Sequence, residues 1–196
     1  MPTAPFPRPR LGRLLGCGVL LLAAASAHAG ARDEVKAAMD KFLSASSYHA
    51  TMTHSGAHAM TNEIDFVAPD RYRMQTSMGT QYIIGDAMIM DVNGTRMRVP
   101  MPKGTLSQYR DPAKLSENAA TMEITALGAD TLDGKPARKY RMVSSQSPDV
   151  ASVMWVGGAG YPLRIEVQGQ VQGQDFATTI RYSRYNDPGI RVDPPK

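Results

Sequence analysis

Thr95-Arg96-Met97-Arg98-Val99 constrains the fold of this chain more than any other stretch, because arginine alternates there with apolar residues. A slip of one residue would turn both arginines toward the apolar side, so the register of the strand is specified. The preceding Asn93-Gly94 pair, set between alternating runs, is the strongest short-range hairpin signal. The same period of two runs through residues 47–101. One face collects Tyr48, Ala50, Met52, Met60, Ile64, Phe66, Tyr72, Met74, Met78, Met88, Met90, Val92, Met97, Val99 and Met101. The other face collects Thr51, Thr53, Asn62, Asp65, Arg71, Arg73, Gln75, Arg96 and Arg98. Half-buried strands in an antiparallel meander are expected.

The N-terminus has a different character. Arg8, Arg10 and Arg13 precede an apolar run over residues 14–27, which closes on Ala27-His28-Ala29-Gly30. This is the pattern of a secretory signal with an A-x-A site, which predicts cleavage after Ala29 and export to the periplasm. Leu14-Leu15-Gly16-Cys17 offers a competing lipoprotein reading, but such a box should close the apolar region, and here residues 18–24 continue it. The run is also shorter than the ~20 residues a spanning helix needs.

Removing residues 1–29 leaves 19 basic against 18 acidic residues, so the basic balance of the whole chain is a targeting feature and gives no support to nucleic-acid binding. Cys17 leaves with the signal, and no disulfide is expected. The remaining residues 30–196 suit one domain, large enough to bury roughly 70% of its unfolded surface.

Val35, Met39, Phe42 and Leu43 recur at helical spacing behind Asp33 and Glu34, predicting an amphipathic helix over residues 33–44. Asp111-Pro112-Ala113 predicts a cap and a short helix to residue 119. Strands return over residues 137–143, 153–156, 163–168 and 176–183, giving about nine to eleven strands in all.

Motifs for chemistry are weak. His49, His54 and His58 invite a metal reading, but Gly56 suggests a turn that would spoil a shared face, and His49 reads as a hydrogen-bonded structural residue. Gly157-Gly158-Ala159-Gly160 is followed by Tyr161-Pro162 and a strand, where a phosphate cradle would need a helix N-terminus. Asn93-Gly94-Thr95 matches a glycosylation sequon but also makes the tight turn. Asp86 and Asp91 bracket Met88 and Met90 without an evident acid-base partner, and no nucleophile elbow, His-Glu-x-x-His or Cys-His pair occurs in residues 30–196. No catalytic residue, metal or cofactor is expected.

Methionine is the distinctive choice, with 12 of the 13 in residues 30–196. An unbranched, polarisable side chain adapts to irregular apolar partners, whereas a closed core favours better-specified shapes. The methionine face therefore reads as a surface for an apolar ligand.

Several motifs resemble the LolA-like family, the periplasmic carriers of outer-membrane lipoproteins and related lipid-binding lipoproteins. Ser46-Ser47-Tyr48-His49-Ala50-Thr51 is similar to the family's junction of helix and first strand, and Phe66-Val67-Ala68-Pro69-Asp70-Arg71-Tyr72-Arg73-Met74 to the start of its third strand. Residues 128–140, with the Asp133-Gly134-Lys135-Pro136 turn, then Val153-Met154-Trp155-Val156 and Tyr161-Pro162-Leu163-Arg164, resemble the later hairpins. The resemblance implies a mainly β fold with α, an antiparallel half-open β-barrel whose helices cover the concave face over a lipid-binding cavity. Met52, Phe66, Tyr72, Met74, Met88, Met90, Met97, Val99 and Trp155 are the expected ligand contacts. The function expected is carriage of an acylated or other hydrophobic ligand without catalysis, with a membrane-associated donor or acceptor as partner. Alternatives are a scaffold or sensor binding a protein through the same sheet, and an enzyme on this fold. The carriers place an arginine before the third-strand proline, where this chain has Ala68, and a standard lipoprotein-transfer role is not expected.

Overall fold

The computed structural model describes residues 20–56, 59–92, 95–102, 110–111, 113, 117, 120–171 and 173–193, with side chains described except at 20–29, 91–92 and 171. Helix α1 (Leu20–Ser44) precedes eleven strands: β1 (Ser47–Ser55), β2 (Met60–Val67), β3 (Arg71–Thr76), β4 (Gly79–Ile84), β5 (Ala87–Val92), β6 (Thr95–Pro100), β7 (Met122–Leu132), β8 (Lys135–Ser144), β9 (Ser147–Gly157), β10 (Pro162–Val171) and β11 (Gln174–Ser183). They form one antiparallel sheet in the order β6-β5-β4-β3-β2-β1-β11-β10-β9-β8-β7. Two meanders, β1–β6 and β7–β11, are thus joined along a β1·β11 seam, where His49 pairs with Ser183 and His54 with Thr178. The sheet is not closed, since β6 and β7 stand at opposite edges. This is the half-open barrel expected, at the upper end of the expected strand count.

Alternation survives as register. Val92 pairs with Thr95, as a two-residue hairpin requires, although Asn93 and Gly94 themselves lie outside the described residues, as does His58. At Gly157-Gly158-Ala159-Gly160 the amide of Gly160 donates to the Gly157 carbonyl (2.8 Å) with φ at +79°. A left-handed residue of this kind is where glycine carries little cost. Asp111 accepts the Ala113 amide on Oδ1 at 2.9 Å, as expected of a cap, and Ala113, Glu117 and Ala120 are helical. Most of the second helix lies outside the described residues.

The first helix begins earlier than its acids suggest. Asp33 and Glu34 stand within α1, which runs back to Leu20 and has no acidic residue in its first turn. Cleavage after Ala29 would leave them in the opening turn, which is where the sequence pattern places them. Ala31, Val35 and Ala38, spaced by one turn or two, pack on Ile124, Tyr140, Met142, Met154 and Val156. Polar bonds fix the helix to the same wing: Arg32 Nη2 donates to Met122 O (2.6 Å), Arg138 Nη1 pairs with Glu34 (2.5 Å) and the Tyr140 hydroxyl donates to Glu34. Further along, Lys41 Nζ reaches Ala159 O at 2.5 Å. Thus α1 closes the inner face of β7–β10.

A second cluster lies where α1 ends, with Tyr48, Ala50 and Phe66 buried and Phe42, Ile64, Tyr72, Ile180, Tyr182 and Tyr185 packed around them. Ring centroids are 4.9 Å apart for Tyr48–Phe66 and Phe66–Tyr72, within the range of favourable aromatic pairs.

The outer face is polar where the sequence says it should be. His49 sits between Asp65 (2.8 Å) and Glu63 (2.8 Å), Arg73 pairs with Asp65, and Arg71 donates to Val192 O and Asp193 (3.0 Å each). His49 is therefore a hydrogen-bonded residue of the sheet exterior. Asn62 is a correction, because it has the parity of Ile64 and Phe66 and is buried on the inner face opposite Met52.

Candidate functional site

Strand pairing carries the inner apolar residues across the wing that α1 leaves open. In one row Phe66 pairs with Tyr72, Tyr72 with Ile83, Ile83 with Met88 and Met88 with Val99. In the next, Ile64 pairs with Met74, Met74 with Gln81, Gln81 with Met90 and Met90 with Met97. Cross-strand neighbours share a face, so each row is a continuous strip. With strands about 4.8 Å apart, the row from β2 to β6 is roughly 19 Å long.

Exposure is greatest at the β6 end of both strips. Phe66 is 0% exposed and Ile83 5%, Met74, Met88 and Met90 are half-buried, and at the edge Val99 is 42% and Met97 48% exposed. A closed core would bury the far end as well. The apolar face is thus covered at the sheet's centre and exposed at β6.

Eight of the nine expected contacts lie on this face. Phe66, Tyr72, Met88 and Val99 share the first row, Met74, Met90 and Met97 the second, and Met52 sits beside them, paired with Asn62 and Ile180. Trp155 does not join them. It has the opposite parity to Met154 and Val156, packs with Leu132, Ala137, Val153 and Leu163 on the outer face, and donates from Nε1 to Asp130 at 2.8 Å. Lys139 Nζ and Arg164 Cζ stand 4.7 and 4.9 Å from its ring, so Trp155 belongs to a cation–π sandwich remote from the groove. The indole hydrogen bond holds the Asp130 carboxyl below its usual range.

One residue at the groove was not singled out by the sequence. Strands β6 and β7 are consecutive in the chain but stand at opposite edges of the sheet, and Arg110 falls in the sequence that joins them. It lies over the inner aromatic cluster, its Cζ 4.0 Å from the Phe66 ring centroid and 5.2 Å from that of Phe42. Its Nη2 donates to Leu43 O (2.7 Å) and Phe42 O (3.4 Å), the carbonyls that end α1, which is where a helix favours a cation. Leu43, Phe66, Ala68, Pro69, Asp70, Tyr72 and Arg110 enclose a pocket of about 450 Å³. Arg71 and Arg73 are both held on the outer face, as their parity predicts, and the guanidinium beside Ala68 comes instead from a distant part of the chain.

Burial pushes the tyrosines of this region up, to about 12 for Tyr182, while the nearby Arg110 charge opposes the rise at Tyr48 and Tyr72. Tyr140 is also pushed up to about 12, first by burial and then by its bond to Glu34. Both hydroxyls ionise less readily folded than unfolded, where the value is 10.0. Stability from these groups is therefore complete below pH 10 and lost as pH rises through about 12. Denaturant midpoints should fall over that window, with Tyr140→Phe falling less. Tyrosinate absorbance titrating with no lag behind free tyrosine would contradict this.

No protein-family model matches the sequence, and no curated protein matches it. Solved structures do. The Mycobacterium tuberculosis lipoprotein LppX superposes with a TM-score of 0.68 at 14% identity, over 84% of this chain and 99% of that one. LprF from Mycobacterium bovis gives 0.58 at 12% identity, over 85% and 97%, and MucB gives 0.52 at 14%, over 85% and 63%. Identities this low carry the fold alone. The chain shares with LppX and LprF the fold of an open antiparallel sheet with a helix across its inner face.

Proposed function

We propose that this chain is an exported binding protein that shields an acylated or otherwise apolar ligand in the groove of β2–β6, without chemistry. The observation that carries this reading is the apolar face that runs from buried Phe66 to exposed Val99 along one strip and to exposed Met97 along its neighbour, which Gln81 alone interrupts. Each buried methylene contributes about 0.8 kcal/mol, so one long chain lying along a strip gains on the order of 10 kcal/mol before ordering costs. The methionines suit a chain of variable shape. Among the described residues no three His, Cys, Asp or Glu side chains are placed to hold a metal, and no helix is long and apolar enough to cross a membrane. LppX, of the same fold, is a lipoprotein by its description.

Native mass spectrometry of protein purified from the exported fraction tests the reading most directly. Lipid-sized adducts that strip off on activation are the expected result, and protein that is bare under every condition and takes up no added lipid would refute it.

Export with cleavage after Ala29 is part of the proposal. Intact mass should give a chain beginning at Gly30, in which Asp33 and Glu34 fall in the first helical turn. A diacylated species beginning at Cys17 would replace the soluble carrier with a tethered one.

A scaffold role has one observation in its favour. Strand β6 is exposed along its whole length and forms a sheet edge, which can accept a strand from another chain. Proline substitution at Arg96 or Arg98 should abolish capture of a protein partner while leaving lipid uptake intact if that reading holds.

A further inference from the structure

The groove has one polar end. Arg110 Nη1 is buried and among the described residues makes no hydrogen bond, although Nη2 of the same guanidinium is satisfied by two carbonyls. A buried cationic donor left unmade is costly, and such groups call for an explanation. Aromatic faces accept part of the charge, since the guanidinium lies over Phe66 and Phe42, and the Tyr48 and Tyr72 hydroxyls are near enough to feel it, but none of these meets Nη1 at hydrogen-bond geometry. The same guanidinium borders the pocket formed with Ala68, Pro69, Asp70 and Tyr72, and this pocket stands at the buried start of the Phe66-Tyr72-Ile83-Met88-Val99 strip.

We infer that the ligand of the groove carries an anionic oxygen head, which Arg110 Nη1 receives in the pocket by Pro69, while its single acyl chain runs along that strip toward the open edge at β6. This rests on the apolar-groove reading above and adds to it a head group and a direction. Length agrees with the assignment. The strip is roughly 19 Å long by strand spacing, and one leaflet of a bilayer's hydrocarbon core, about 15 Å, is spanned by one chain. The filled pocket would leave both Nη2 bonds to α1 in place, so the ligand adds to the fixing of the helix end. Asp70 is the opposing group, a carboxylate lining the same pocket, and it sets a limit on how strongly an anion is held.

Carboxylate and phosphate heads share the required chemistry, and a binding series separates them. Hexadecanoate, palmitoyl lysophosphatidate and hexadecanol would be titrated by displacement of an apolar fluorophore from wild type, Arg110→Met, Arg110→Lys and Asp70→Asn. A charge-assisted hydrogen bond in a buried site predicts that wild type prefers at least one of the two anionic lipids over the alcohol by about tenfold or more. Whichever anion is favoured identifies the source of the head. Arg110→Met should lose the preference while still binding hexadecanol, Arg110→Lys should keep part of it, and Asp70→Asn should widen it severalfold. If Arg110→Met does not fold, the lysine variant and Asp70→Asn, whose side chain borders solvent, carry the decision. Equal affinity for all three lipids in wild type, or no change in preference in Asp70→Asn and Arg110→Lys alike, overturns the assignment of the head and leaves the groove intact. Binding of none of the three overturns the groove and the head together.

Discussion

Replacing Met90 with glutamate should abolish uptake of an apolar fluorophore while leaving the melting temperature nearly unchanged. Met90 is half-buried between Gln81 and Met97 in the middle of the open strip. In the empty protein a carboxylate there still reaches water, so folding loses little. A ligand laid along the strip would strip that water away, and burial of an unpaired charge costs several kcal/mol, enough to remove binding altogether. Every 1.4 kcal/mol is a factor of ten in affinity. The paired measurement is what separates groove from core. Loss of uptake together with a large drop in melting temperature would show that Met90 is closed in, and wild-type protein that takes up no dye would remove the ligand from the account.

The opposite behaviour is expected of Phe66→Ala. Phe66 is 0% exposed and touches Tyr48, Tyr72 and the guanidinium of Arg110. Truncation should cost about 3–5 kcal/mol. Against a total stability of roughly 5–15 kcal/mol, that loss should lower the melting temperature by on the order of 10 °C for a domain of this size. Met97→Ala, at the exposed end of the neighbouring strip, should move stability by no more than about 0.5 kcal/mol. Chemical denaturation of the two variants provides the check. Equal losses at both positions would mean that the exposure gradient has no energetic counterpart and that both ends are core.

Sequence pattern located the strands well, because alternation is a local property and register follows from it. Thr95-Arg96-Met97-Arg98-Val99 pairs with β5 as the parity demands, and Arg71 and Arg73 face outward. Where alternation stops, so does the information. Val153-Met154-Trp155-Val156 is apolar throughout, since both faces of β9 pack there, Met154 and Val156 beneath α1 and Val153 and Trp155 outside. Spacing alone could not say which face held the indole. Leu163 shows the same limit, since two-residue spacing would put it on one face with Ile165, whereas a register shift between Pro162 and Arg164 accompanies its packing with Trp155. Asn62 shows a different limit, since its polar side chain suggests the outer face while its parity with Met60 and Ile64 sets it on the inner one.

Arg110 was illegible for a topological reason. It lies in a connection with no period, and its contacts, Phe42, Leu43 and Phe66, come from the helix and the second strand. Knowing that Ala68 lacks a guanidinium does not reveal that one is delivered from another segment. Nothing in the spacing of residues places Arg110 beside Phe42, Leu43 and Phe66, and their meeting is a property of the folded chain.

The seam between β1 and β11 governs how such a chain can be assembled in time. Each meander needs only hairpins between neighbours in sequence, which close within microseconds. The seam instead joins the first strand made to the last, as in the pairing of His49 with Ser183. A chain made from its N-terminus therefore holds β1 with one edge unpaired until residue 183 is free, and non-local closure of this kind is slow. Throughout that interval the open edge of β1 and the unfinished aromatic cluster are what a folding helper, or another copy of the same chain, would meet.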